Sequence, residues 1–174
     1  MTSHICETEY AAQCGRLIIW THEGRVVMCD WANSELEKSK KRVLKALRAN
    51  VVQVEDETSQ RLKIQLDEYF IGKRKEFDIP TLLIGTEFQK TAWQALTSIP
   101  YGQTISYKEE AEKIGRPNAF RAVGNANNAN AIVIIYPCHR VIGSDGQFVG
   151  YAGGLNVKQY LLELEQRNCN DNGE

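Results

Sequence analysis

A cysteine, a histidine and an arginine follow one another at Cys138, His139 and Arg140, directly after a proline. A cysteine acts as a nucleophile only as its thiolate, and that form needs a neighbouring base or positive surroundings. The imidazole can supply the base and the guanidinium the positive charge. The run therefore indicates nucleophilic thiol chemistry, although a buried structural cysteine beside an incidental histidine fits the same residues.

The residues before this run predict how the thiol is positioned. Residues 131–135 are apolar and mostly β-branched, and Pro137 follows them. Such a run is typical of extended, largely buried chain, because proline biases its predecessor away from helix. We therefore expect the thiol of Cys138 to be carried from the core to the wall of a cleft.

Two short helices are predicted ahead of that segment. Ser106 is a favourable N-cap with Glu109 three residues later, so a helix is expected from residue 107 to residue 114, ending at Gly115. A second helix is expected over residues 119–127. Two short helices joined by a tight turn that contains glycine form a helix-turn-helix, whose second helix can enter a DNA groove.

The surface around these helices is predicted to be basic. Between residues 113 and 143 there is no acidic residue and there are four basic ones, Lys113, Arg116, Arg121 and Arg140. Phe120 and Val123 are expected to face inward. The whole chain, with 21 basic and 22 acidic residues, has a net charge of -1 and does not itself indicate nucleic-acid binding. An ordinary helical hairpin with small packing residues remains an alternative.

The rest of the chain predicts an α+β fold in two domains. In the first half, residues 15–20 and 25–32 predict a β-hairpin, residues 51–54 a strand, and residues 34–50 and 57–70 helices. Residues 86–96 predict a helix with one buried face. The composition changes around residues 82–86, so we expect a small α/β domain over 1–84, a mostly helical domain over 85–167 and a disordered tail over 168–174.

The cysteine pattern indicates neither a disulfide framework nor a metal site. The five cysteines are an odd number without a CxxC pair, in a chain without a signal peptide or an apolar run of the ~18 residues that span a bilayer. Cys6, Cys14, His22 and Cys29 could be imagined as zinc ligands, but their spacing matches no common zinc motif. A soluble intracellular protein without bound metal is expected.

The second half, over about residues 86–165, resembles the O6-alkylguanine-DNA alkyltransferases, also called methylated-DNA–protein-cysteine methyltransferases. The matching residues are Phe88-Gln89, Trp93, Ile99-Pro100-Tyr101-Gly102, Ser106-Tyr107, Arg121-Ala122-Val123-Gly124, Pro137-Cys138-His139-Arg140-Val141, Gly150-Tyr151-Ala152-Gly153-Gly154, Lys158, Leu161-Leu162 and Glu165. The first half contains no such motif, although the resemblance implies a small α/β domain there and a winged-helix-like domain in the second half.

The resemblance implies a role for five catalytic residues. Cys138 would attack the alkyl carbon on O6 of guanine and keep the group as a thioether. His139 would take the thiol proton through a water, with Glu165 orienting the imidazole. Tyr107 would protonate or hydrogen-bond N3 of the guanine, and Asn130 would order the loop that leads to the cysteine.

The resemblance also implies how DNA is bound. Arg121 would fill the gap in the base stack when the guanine is flipped out, because the reacting atom cannot be reached inside the duplex. Tyr107, Lys108, Arg116 and Ser144 match positions near the DNA. Tyr151, Gly153 and Val141 would line the substrate pocket. The chain departs from the family at residue 131, where alanine replaces the usual proline.

A single-use DNA-repair alkyltransferase is thus the expected function. It would need no cofactor, would act as a monomer on double-stranded DNA containing O6-alkylguanine, and would not bind a membrane. The nucleus is expected if the source is eukaryotic, and otherwise the cytoplasm. One alternative is an alkyltransferase-like protein that recognises the lesion without reacting, although such relatives lack the cysteine. The other is a thiol hydrolase, for which no oxyanion hole can be recognised.

Overall fold

The computed structural model describes residues 3–33, 35–146 and 150–171. The chain divides into two compact units, Met1–Ile84 and Gly85–Glu174. The boundary along the sequence falls within residues 82–86, where the composition changes. The first unit is a sheet with helices and the second is mostly helical, so the α+β class is as predicted. None of the described helices combines the length and the apolar content that a membrane crossing requires.

A four-stranded sheet forms the first unit. Its strands are β1 (His4–Ala12), β2 (Gly15–His22), β3 (Arg25–Trp31) and β4 (Asn50–Gln53), in the order β3-β2-β1-β4. Strand β1 pairs parallel with β4, and the other pairs are antiparallel. The helices are α1 (Leu36–Leu47) and α2 (Glu57–Phe70). The predicted hairpin, the fourth strand and both helices are confirmed, except that Ser34 lies outside the described residues.

The turn of the hairpin explains why it could be recognised. Glu23 and Gly24 both have left-handed backbone conformations, with φ of 51° and 79°. This conformation suits a two-residue hairpin turn, because its twist matches that of the flanking strands. Glycine takes up such a φ without strain.

Strand β1 was not predicted, because its apolar residues do not alternate with its polar ones along the strand. Ile5 is fully buried, whereas most of its neighbours in the strand are half-buried or exposed. Polar side chains in this strand are satisfied across the sheet, as where Trp20 Nε1 donates to Glu7 Oε2 at 2.7 Å. A strand held in place by pairing on both sides leaves only a weak pattern in its own sequence.

The described residues of the second unit form four helices, one turn of 3₁₀ helix and two short strands. Their bounds are α3 (Glu87–Leu96), β5 (Ile105–Ser106), α4 (Tyr107–Lys113), α5 (Phe120–Asn128), the 3₁₀ turn Cys138–Arg140, β6 (Val141–Ile142) and α6 (Leu155–Asp171). Strands β5 and β6 pair in parallel. Ser106 caps α4 in a capping box with Glu109, as expected. Helices α4 and α5 are joined by a tight connection and pack together, as in a helix-turn-helix.

The inward face of α5 differs from the prediction at one position. Val123 is fully buried as expected, but Phe120 is 44 % exposed, so the prediction that it faces inward is wrong. The buried residues of α5 are Val123, Ala126 and Asn127. Residues on one helical face recur every three or four positions, so Ala119, which is half-buried, lies on the same face as Val123. Phe120 lies at the edge of this face.

The apolar run before Pro137 is buried as predicted, but it is not extended. Ile134 has a φ of 72°, and Tyr136 N donates to the carbonyl of Ile132 at 3.2 Å, so the chain reverses there. Val133 and Tyr136 form an isolated bridge. A left-handed conformation is unusual for a β-branched residue, and it persists only where the surroundings enforce it. The prediction of an extended backbone, which rested on the β-branched residues and on Pro137, was therefore wrong.

The prediction of a disordered tail is wrong for residues 168–171, which continue helix α6. Cys169 explains why the helix persists, because its side chain packs closely against the chain at Gly102. A Cβ atom placed on Gly102, where φ is 81°, would lie 2.7 Å from the Cβ of Cys169. The polar composition of the tail does not reveal this contact. Residues 172–174 lie outside the described part of the chain.

Candidate active site

The thiol of Cys138 is held in a buried turn by Asn130. The side chain of Cys138 lies in the 3₁₀ turn and the residue is 5 % exposed. Asn130 Nδ2 is 3.3 Å from the sulfur and donates to the carbonyl of Tyr136 at 2.9 Å, while Asn130 Oδ1 accepts from Ile132 N at 2.9 Å. One asparagine therefore ties both sides of the reversed segment to the thiol, although Ala131 replaces the proline usual in the family.

His139 and Glu165 form a buried pair. His139 Nε2 and Glu165 Oε2 are 2.7 Å apart, and both residues are fully buried. An ionised carboxylate can only accept, so Nε2 carries the hydrogen and Nδ1 of the neutral ring is a free acceptor. Nδ1 is buried and has no hydrogen-bond partner among the described residues. The imidazole is thus oriented with an available basic nitrogen.

Arg140 is part of the same buried network rather than of the surface. Its Nε and Nη2 donate to Oε1 and Oε2 of Glu165 at 2.8 and 3.0 Å, and its Nη1 donates to the carbonyl of Ile99 at 2.8 Å. Arg140 is 6 % exposed. The predicted basic surface included Arg140. This part of the prediction is wrong, because the guanidinium is buried in a bidentate ion pair with Glu165.

The pKa values follow from this arrangement. Burial alone would raise the pKa of Glu165, but the hydrogen bonds and charges of His139 and Arg140 hold it well below its usual range. Burial lowers the pKa of His139, against the opposing effect of Glu165, and the charges of Arg140 and Lys158 lower it further. Arg140, which contacts both oxygens of Glu165, is the main counter-charge of this carboxylate. The carboxylate is therefore ionised while the imidazole of His139 is neutral.

Lys158 is a buried cation close to the thiol, and no role was predicted for it. It is fully buried, and its Nζ donates to the carbonyl of Val141 at 2.6 Å. Burial lowers its pKa to about 8, while the charge of Cys138 acts to raise it. By reciprocity the ammonium group favours the thiolate form of Cys138. The burial of a lysine in a helix cannot be predicted from its residue type. Lys158 was therefore noted in the sequence only because it matches the family.

Tyr107 connects the thiol with an outer cavity. Burial raises the pKa of Tyr107 to about 12, and the charges of Cys138 and Glu110 add to the effect. Its hydroxyl is 3.4 Å from the carbonyl of Gly150. The cavity has a volume of about 270 Å³, and its described lining consists of Tyr107, Phe120, Arg121, Gly124, Asn125, Asn128 and Gly150. Cys138 is not among the described residues that line this outer cavity.

The structure thus brings four of the predicted catalytic residues into contact in pairs, whereas the predicted DNA-binding residues are exposed and the predicted pocket residues lie elsewhere. Hydrogen bonds or ion pairs join Asn130 to Cys138 and Glu165 to His139. The predicted DNA-binding residues Lys108, Arg116, Arg121 and Ser144 are all exposed, and the guanidinium of Arg116 lies 5.8 Å from the ring centre of Phe88. The predicted pocket residues Tyr151, Gly153 and Val141 lie outside the described lining of the cavity. Their roles stay predictions.

The first unit has no comparable cluster among its described residues. Across residues 3–33, 35–146 and 150–171, no three His, Cys, Asp or Glu side chains are grouped in a way that could hold a metal ion. Burial raises the pKa of Cys14 to about 11 and that of the fully buried Cys29 further. These thiols are therefore poor nucleophiles at neutral pH.

The fold and the site together define a class of proteins in which a small sheet unit precedes a helix-turn-helix unit with a buried cysteine–histidine–glutamate set. Two family profiles match the two units. The profile of the 6-O-methylguanine DNA methyltransferase DNA-binding domain matches residues 87–167, and that of the ribonuclease-like domain of the same family matches residues 5–83. The chain belongs to the 6-O-methylguanine DNA methyltransferase family.

Individual relatives agree with this assignment. Methylated-DNA–protein-cysteine methyltransferases of Methanosarcina barkeri and Mycobacterium leprae are 59% and 62% identical over 104 and 102 residues. The matches cover 60% and 59% of this chain, and 66% and 62% of those proteins, so the chain spans less than two thirds of either. The Mycobacterium tuberculosis OGT structure in complex with DNA superposes with a TM-score of 0.80 at 38% identity, covering 95% of this chain and 94% of that chain.

Proposed function

We propose that this protein repairs DNA by moving the alkyl group from O6-alkylguanine onto its own Cys138, irreversibly and once per molecule. Family membership, the names of the relatives and the DNA complex of the OGT structure support the proposal. The observation that carries it is the buried thiol held by Asn130, next to an imidazole whose Nδ1 is left free by the bond between Nε2 and Glu165.

The chemistry is a displacement at carbon. The sulfur of Cys138 forms a bond to the alkyl carbon, the bond from that carbon to O6 breaks, and its electron pair goes to the guanine. The thiol proton passes to Nδ1 of His139 through a water, as in the family, and Glu165 and Arg140 stabilise the resulting imidazolium. No oxidant, reductant or cofactor is needed. A thioether has no easy route back to a thiol, so the reaction ends with one turnover.

Tyr107 assists the departure of the guanine. The raised pKa keeps its phenol protonated at neutral pH, which favours hydrogen-bond donation to N3 over full proton transfer. The guanine finally gains the proton that the thiol lost. Lys158 stabilises the thiolate before attack, and its bond to the carbonyl of Val141 fixes the chain after the reactive turn.

Duplex DNA is the substrate, and the second unit binds it. Helix α5 supplies Arg121, which is exposed and can replace the extruded guanine in the stack, and Lys108, Arg116 and Ser144 contact the DNA around it. The remaining residues of the base pocket are Tyr151, Gly153 and Val141. The protein acts as a monomer, and residues 85–167 carry the reaction. It works where the cell keeps its DNA, in the nucleus of a eukaryote and otherwise in the cytoplasm.

The test is intact-mass spectrometry after incubation with a duplex that carries a single O6-methylguanine. We expect a gain of one CH₂ unit per molecule, mapped to Cys138, in a yield that never exceeds one lesion per protein. Cys138→Ser should bind the duplex without any mass change, and transfer by that variant would remove the cysteine from the mechanism. Binding without a mass change in the unaltered protein would instead indicate a non-catalytic lesion-recognition protein.

A further inference from the structure

Phe120 is a large apolar side chain that the fold leaves uncovered at the start of helix α5. It is 44 % exposed and lines the outer cavity together with Arg121 and Tyr107. The core of the unit does not use it, because the buried stripe of the helix runs through Val123 and Ala126. Single exposed apolar side chains are common on protein surfaces, but this one lies in the lining of a cavity, where a bound group would contact the ring.

The next turn of the helix leaves the ring accessible. The residue four positions after Phe120 is Gly124, which has no side chain to cover the preceding turn. The described lining of the cavity includes Asn125 and Asn128 but not Cys138. The ring therefore borders the outer cavity, on the same helix as the exposed Arg121.

The neighbouring residue gives the ring its context. Arg121 follows Phe120 in the first turn of α5, and the N-terminal residues of a recognition helix are those that reach the bases. Among the described residues, nothing forms an ion pair or a hydrogen bond with the Arg121 side chain. An apolar ring and a planar cation therefore stand next to each other at the end of the helix. Apolar side chains of this kind are used by other DNA-binding proteins to separate base steps.

We propose that Phe120 is a second extrusion residue, whose ring packs against the base pair next to the flipped guanine while Arg121 occupies the vacated position. The inference rests on the proposed function and adds to it a residue that the reaction needs most in duplex DNA and not with the free base. The ring stabilises the unstacked state by replacing the stacking that the flanking base pair loses. The contact is apolar and sequence-tolerant, so it is independent of the identity of the flanking base.

The test compares transfer rates of the full chain on three substrates: duplex containing O6-methylguanine opposite cytosine, the same strand without its complement, and free O6-benzylguanine. Phe120→Ala should slow the duplex reaction about tenfold, since one stacking contact is lost. The reaction with the free base should keep its rate, and the single strand should show a smaller loss than the duplex. Phe120→Trp, which retains a ring, should restore the duplex rate.

Ile64→Ala in the first unit is the matched control, because Ile64 is another exposed apolar side chain, at 59 % exposure, and should change none of the rates. Melting temperatures of the three variants check that each is folded. Equal losses on free base and duplex would assign Phe120 to the base pocket and overturn the proposal, as would an unchanged duplex rate. If the unaltered protein transfers from no substrate, the proposed function itself fails, and this outcome is distinct from both.

Discussion

Asn130 is the residue on which the position of the thiol depends most directly. Its amide joins the carbonyl of Tyr136, the backbone of Ile132 and the sulfur of Cys138. The segment between these atoms contains Ile134 in a left-handed conformation, which the asparagine helps to enforce. Without that side chain, the reversal of the chain before the cysteine would lack its main polar support.

We therefore expect Asn130→Ala to lower both stability and reaction rate. Leaving buried hydrogen-bonding groups of the segment unsatisfied costs about 1–3 kcal/mol, and a displaced thiol reacts more slowly. Thermal unfolding and the rate with free O6-benzylguanine measure the two effects. Gln94→Ala, in an exposed residue of helix α3 outside the cavity lining, is the control and should leave the free-base rate unchanged. A normal rate in Asn130→Ala would show that the turn positions the thiol by itself.

Glu165→Gln should be among the most damaging single changes in the second unit. The amide would leave the buried guanidinium of Arg140 without its counter-charge, and breaking a buried ion pair in this way costs roughly 3–5 kcal/mol. It would also remove the charge that stabilises the imidazolium of His139. Thermal unfolding and single-turnover kinetics check both effects. Glu163→Gln, two residues earlier on the exposed side of the same helix, should affect neither.

At the scale of elements, helices α4 and α5 are linked by a buried polar pair. Asn127 Nδ2 donates to Glu110 Oε1 at 2.7 Å, and Glu110 is fully buried. Glu110 Oε2 and Asn127 Oδ1 are also buried, and neither has a hydrogen-bond partner among the described residues. If Glu110 is protonated, its carboxyl group can donate a hydrogen bond to an acceptor such as Asn127 Oδ1. Burial raises the pKa of Glu110 to about 7, so the carboxyl group is largely neutral in mildly acidic solution.

This pair predicts a pH dependence of stability. The pKa of Glu110 is higher in the folded protein than its ordinary value of 4.5, so its contribution is complete below pH 4.5. It falls as the pH rises towards about 7, because the unfolded chain releases the proton first. Above that pH the loss is complete and the helix pair is at its weakest. Thermal unfolding of the second unit across this range measures the effect.

Glu110→Gln is the matched variant. A glutamine can donate from its nitrogen and accept at its oxygen, so it can satisfy the side chain of Asn127 without a titratable proton. We expect it to be more stable than the unaltered protein at pH 8 and to lose this part of the pH dependence. Glu109→Gln would be a poor control, because Glu109 belongs to the capping box of α4. Glu112→Gln, on the exposed side of the helix, is suitable. An unchanged pH profile in Glu110→Gln would rule out Glu110 as the source.

The elements that could be predicted are those whose signals are local. The capping residue Ser106 and the turn at Gly24 each carry their information within a few positions. Strand β1 and the left-handed turn at Ile134 do not, because pairing and enclosure by other segments decide them. The continuation of helix α6 beyond residue 167 was not predicted, since the contact between Cys169 and Gly102 joins residues distant in sequence.

The candidate site divides in the same way. Cys138 and His139 were named from their adjacency in the sequence and Glu165 from the family resemblance, and the structure brings the histidine and the glutamate into contact. The burial of Arg140 and Lys158 could not be read from their residue types, because charged residues are mostly exposed unless they are paired. The sequence therefore overestimated the basic surface by one arginine and gave no role to the lysine beside the thiol.

At the scale of the whole molecule, the number of exposed cations limits how strongly salt affects DNA binding. With Arg140 buried, the basic side chains exposed near the helix-turn-helix are Lys108, Lys113, Arg116 and Arg121. Neutralising about three or four phosphates gives a slope of log K against log salt of about −3 to −4. A titration of duplex binding at several salt concentrations, with Cys138→Ser to prevent reaction, measures this slope.

Single charge changes refine the same prediction. Arg116→Gln should make the slope shallower by about 1, whereas Lys41→Gln, an exposed lysine of helix α1, should not change it. A slope near −8 would mean that cations beyond the second unit bind phosphates, and an unchanged slope in Arg116→Gln would remove that residue from the interface.

The burial of Cys138 has a consequence for the lifetime of the protein as a reagent. Under the proposed function each molecule reacts once, so a molecule whose sulfur is consumed by a peroxide or a small electrophile is lost to repair. The sulfur lies in a residue that is 5 % exposed and is engaged by Asn130, whereas Cys169 is more accessible. We therefore expect small reagents to reach Cys138 more slowly than Cys169, whereas a guanine extruded from DNA would be delivered to it. Under the proposed function, burial of the thiol would preserve unreacted molecules until a lesion is encountered.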